Sequence, residues 1–64
     1  MNSRDLIRLG VPLGEAQRRA VDFISGFVLG GGDKTKIEDE VKAVLANPTA
    51  FLDDRLRSDF ARSS

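Results

Sequence analysis

The chain has 64 residues, one small domain at most and near the lower limit for a chain that folds unaided. It contains no Cys and no His, which removes disulfides, thiolate or imidazole metal sites and every nucleophile–base pair built on either residue. Ten Lys and Arg balance ten Asp and Glu, so the overall charge carries no signature of a nucleic-acid binder.

No apolar run approaches the roughly 20 residues of a membrane span, and Met1–Asp5 lacks the apolar stretch of a signal peptide. A cytoplasmic setting is the default expectation. A core this small rarely supplies more than about 3–5 kcal/mol net. With no covalent or metal staple, two routes remain: good helix packing, or association with itself, a partner or the rest of a longer chain.

In chain order, Ser3 is placed to cap a first helix over about 3–9, with Asp5 in its positive first turn. Gly10-Val11-Pro12-Leu13-Gly14 reads as a tight connector, since Gly10 can take positive φ and Pro12 blocks helix continuation. A second helix is expected over about 15–29. Its apolar residues Ala16, Ala20, Phe23, Ile24, Phe27 and Val28 recur at helical spacing and fit strand alternation poorly. Gly26 weakens that helix by about 1 kcal/mol relative to Ala unless a neighbour packs closely there.

Gly30-Gly31-Gly32 ends the second helix. Thr35-Lys36-Ile37-Glu38 then fits a capping box for a third, over about 36–46, whose stripe is Ile37, Val41, Val44 and Leu45. Asn47-Pro48 repeats the start signal for a helix over about 48–62 carrying Phe51, Leu52, Leu56 and Phe60, with Asp53 or Asp54 a point of restart. No stretch reads as a strand. The expectation is one all-α domain over 1–64, a small bundle of three to five short helices around four Phe and several aliphatic residues.

Three motifs bear on chemistry. Gly30–Thr35 superficially resembles a phosphate-binding loop, but Asp33 stands where that loop needs glycine before its lysine, and it would repel phosphate. Leu6–Ala20 loosely matches the helix-hairpin-helix DNA-binding corner. There, Pro12 replaces the second glycine and has no N–H to donate, leaving Gly14 and the start of the second helix to hold an anion. Arg4 and Arg8 lie one turn apart on the first helix, and Arg18 and Arg19 lie near the start of the second. If the hairpin closes they form a basic patch near the Gly-Pro-Gly turn. A solvated charged face, partly neutralised by Asp5 and Glu15, explains them too.

The second half holds Asp33, Glu38, Asp39, Glu40, Asp53, Asp54 and Asp59, most of them where capping and the helix dipole account for them. Their spacing fails a calcium loop. No constellation of Ser, Lys and carboxylates reads as catalytic. No catalytic residue, cofactor or metal site is expected.

Asp5-Leu6-Ile7-x-Leu9-Gly10-Val11-Pro12-x-Gly14, a long helix, then Val44-Leu45-Ala46-Asn47-Pro48-x-x-Phe51-Leu52-Asp53-Asp54 with Phe60-Ala61 resembles a known pattern. It is similar to a helical leader that precedes the catalytic domain in some bacterial RtcB-type RNA ligases (tRNA-splicing ligases). The first half is also similar to the helical tail of CCA-adding and poly(A) polymerases, which share a Leu-Gly-x-x-x-Gly corner. The ligases work with GTP and manganese held by Cys and His, which this chain does not contain. The resemblance therefore implies a non-catalytic accessory module that works beside RNA-processing machinery, its partner RNA or an RNA-processing enzyme domain. Arg4, Arg8, Gly14, Arg18 and Arg19 are the residues expected to meet RNA phosphate. The alternative is a protein-interaction or self-associating helical module.

Overall fold

The computed structural model describes all residues, Met1–Ser64. Four α-helices, α1 (Ser3–Leu9), α2 (Glu15–Leu29), α3 (Ile37–Ala46) and α4 (Ser58–Arg62), are joined by turns, two of which are 3-10 turns at Lys34–Lys36 and Pro48–Phe51. There is no strand, and the architecture is all-α. No helix is long and apolar enough to cross a membrane.

The cap of α1 lies one residue earlier than expected. Asn2, not Ser3, caps the helix: its Oδ1 accepts the Asp5 N–H at 3.0 Å, and Asp5 Oδ2 accepts the Asn2 N–H at 3.2 Å. Asn is at least as good a cap as Ser, and only from Asn2 does the reciprocal pair close on an acidic residue three positions on. The helix ends on Gly10 in the left-handed conformation, φ +104°. Val11 N–H reaches back to the Leu6 carbonyl at 2.9 Å, and its side chain is buried, so the exit from α1 is fastened to the core.

The glycine run after α2 works the same way. The N–H groups of Gly30, Gly31 and Gly32 donate to the carbonyls of Gly26, Val28 and Phe27, and Gly31 takes φ +90°. Gly32 lies so close to the Phe27 ring that a Cβ would come within 2.6 Å of it.

The cap before α3 also differs from expectation. Asp33 Oδ1 accepts both the Thr35 N–H (2.9 Å) and the Thr35 hydroxyl (2.7 Å). Thr35 thus spends its hydroxyl as a donor, a 3-10 turn intervenes, and α3 begins at Ile37 without a side-chain cap. Asp at a turn competes for local backbone N–H groups more effectively than Thr.

The expected 48–62 helix is interrupted. Pro48 starts only a 3-10 turn, and Thr49 donates its hydroxyl to Asn47 Oδ1 at 3.0 Å, so Asn47 caps no backbone group. Asp54 then accepts the backbone N–H of Leu56 and of Arg57, each at 3.0 Å. Those bonds replace helix continuation with a turn, and α4 begins only at Ser58.

The core comprises Leu6, Val11, Ala16, Ala20, Phe23, Val41, Val44, Phe60 and Ala61, with Ile24, Phe27, Ile37, Leu45 and Phe51 packed around it. Each helix contributes. Phe23 and Phe60 stack across α2 and α4 with ring centroids 6.0 Å apart. At Gly26 the only neighbour an added Cβ would meet is the tip of the Leu56 side chain, 2.7 Å from its Cδ1, so no backbone packing demands a glycine in mid-helix.

Arg57 ties these parts together. Its side chain is only 17% exposed and lies over the rings of Phe23 and Phe27, 5.2 and 5.9 Å from their centroids. It donates to Glu40 on α3 from Nε at 2.9 Å and again from Nη2, and to Asp54 from Nη1 at 3.1 Å. One guanidinium therefore links α2, α3 and the turn before α4.

Candidate binding surface

The five residues expected to meet phosphate do not share one depression. Arg8 lines an open hollow of about 390 Å³ between α1, the Lys34–Lys36 turn and the start of α3. Arg19 lines a shallower one with Glu15, Asp59 and Arg62, between α2 and α4. Arg4, Gly14 and Arg18 are exposed and line neither.

Three of the four arginines already hold a carboxylate. Arg8 donates to Asp5 at 3.0 Å, Arg19 to Glu15 at 2.7 Å, and Arg18 stands 3.8 Å from the same Glu15. Arg19 lies a further 3.6 Å from Asp59. These are surface pairs of small energetic weight, but each lowers the local positive potential that phosphate would seek. Arg4 alone has no ion pair. At the start of α2, Gly14 has φ +92° and offers no capping side chain, while Glu15 supplies the negative charge that the helix end favours.

The Gly30–Thr35 segment is closed as a phosphate loop, because its glycine N–H groups are committed to α2 carbonyls. Asp33 supports the same conclusion. Its bonds from the Thr35 hydroxyl and then the Thr35 N–H hold its carboxyl below the ordinary value of 3.8, so it stays anionic there. No group of three or more carboxylates converges on a point that could hold a metal ion.

Several large apolar side chains lie on the surface. Leu29 is 87% exposed and Leu13 75%, with Met1, Ile7 and Val21 near half. Val21, Ser25 and Leu29, all exposed, follow one another at i, i+4 and i+8 along the outer side of α2. The missed signal was in the periodicity itself: Val21 and Leu29 fall outside the α2 stripe formed by Ala16, Ala20, Phe23 and Phe27.

Comparison with protein-family models, with characterised proteins and with solved structures finds no match. The fold and surface define the class, a four-helix all-α module.

Proposed function

We propose that this chain is a non-catalytic helical accessory module that acts by docking against another protein, in the RNA-processing setting that its resemblance to the RNA-ligase leader implies. The exposed apolar surface carries the reading. Isolated apolar residues are ordinary on any surface. Here, however, seven large ones are at least 38% exposed on a chain whose buried core holds only nine apolar residues. A module that must bury such groups to gain stability is suited to being covered.

Direct contact with RNA phosphate is the second reading. It is favoured by Arg4, which has no ion pair, and by Arg18, whose side chain is 74% exposed and only loosely held. Self-association is the third use of the same apolar surface, and sedimentation over a micromolar concentration range separates it from docking on a different protein.

The discriminating experiment is an NMR titration of the isotopically labelled chain, once with an RtcB-type catalytic domain and once with structured RNA at low salt. Docking predicts shifts around Leu13 or Leu29 with the protein, weakened by Leu13→Ser or Leu29→Ser. Shifts with RNA alone, abolished by Arg18→Glu/Arg19→Glu, would overturn it in favour of the phosphate reading.

A further inference from the structure

We draw no further inference here: the strongest candidate, the outer side of α2 that exposes Val21 and Leu29 beside Arg18 and Asp22, belongs to the apolar surface already described, and nothing in the structure shows what covers it.

Discussion

Removing Arg57 tests how so small a core is held together. Its guanidinium is partly buried, so its pairs with Glu40 and Asp54 lie between two regimes. Exposed pairs contribute at most about 1 kcal/mol, whereas breaking a fully buried pair costs about 3–5 kcal/mol. Two charge-assisted links at the low end of about 1.5 kcal/mol each, with about 0.5 kcal/mol from the rings of Phe23 and Phe27, give about 3.5 kcal/mol for Arg57→Ala. For a domain of this size that lowers Tm by roughly 14–28 °C. It also removes most of the roughly 3–5 kcal/mol that a core of this size supplies. Glu40→Gln, which keeps the Asp54 pair and the ring contacts, is expected to cost only about 1 kcal/mol. Urea titration followed by circular dichroism measures both. An Arg57→Ala variant within about 0.5 kcal/mol of the parent would place the residue among ordinary surface substitutions and refute this account of α4 docking.

Two glycines should respond in opposite senses. At Gly26 an added Cβ meets only the tip of Leu56, itself 38% exposed and able to swing aside, so Gly26→Ala should gain about 0.5 kcal/mol of helix stability and raise Tm. At Gly32 the Cβ meets three atoms of the Phe27 ring within 2.7 Å, so Gly32→Ala should lose about 1–3 kcal/mol. Asp33→Asn should destabilise the fold at neutral pH. Because the folded-state pKa of Asp33 is lowered, its contribution is fully present above 3.8 and lost as pH falls through the lowered value. The stability difference between parent and variant should therefore close in acid, and a difference independent of pH would count against the charge on Asp33. Phe60→Ala, at a side chain with no exposure, should cost about 3–5 kcal/mol and leave little cooperative unfolding to observe.

Much of this fold was legible from periodicity and punctuation. The α2 limits follow from Gly14 and Gly30, and the α1 exit from the need for positive φ at Gly10. What was not legible depended on competition between neighbouring polar side chains. Asn2 against Ser3, and Asp33 against Thr35, are choices that helix patterns leave open because each residue caps well. The break before α4 falls at Asp54, one of the two restart points expected, but that its two backbone bonds close a turn and delay α4 to Ser58 was not legible. Arg57 was invisible for a different reason. Nothing local marks an arginine whose partners are Glu40, 17 positions away, and the rings of Phe23 and Phe27 on α2. The candidate site divides in the same way. Arginine spacing along one helix can be read from sequence, but the carboxylate each one finds and the hollow it faces are set by tertiary packing.

The most direct test of the docking account is the affinity of the chain for an RtcB-type catalytic domain, measured from about 50 to about 200 mM salt beside structured RNA. The account predicts protein binding that changes little across that range and is weakened by Leu13→Ser or Leu29→Ser. Binding to RNA alone, falling steeply with salt and indifferent to those leucines, would contradict it.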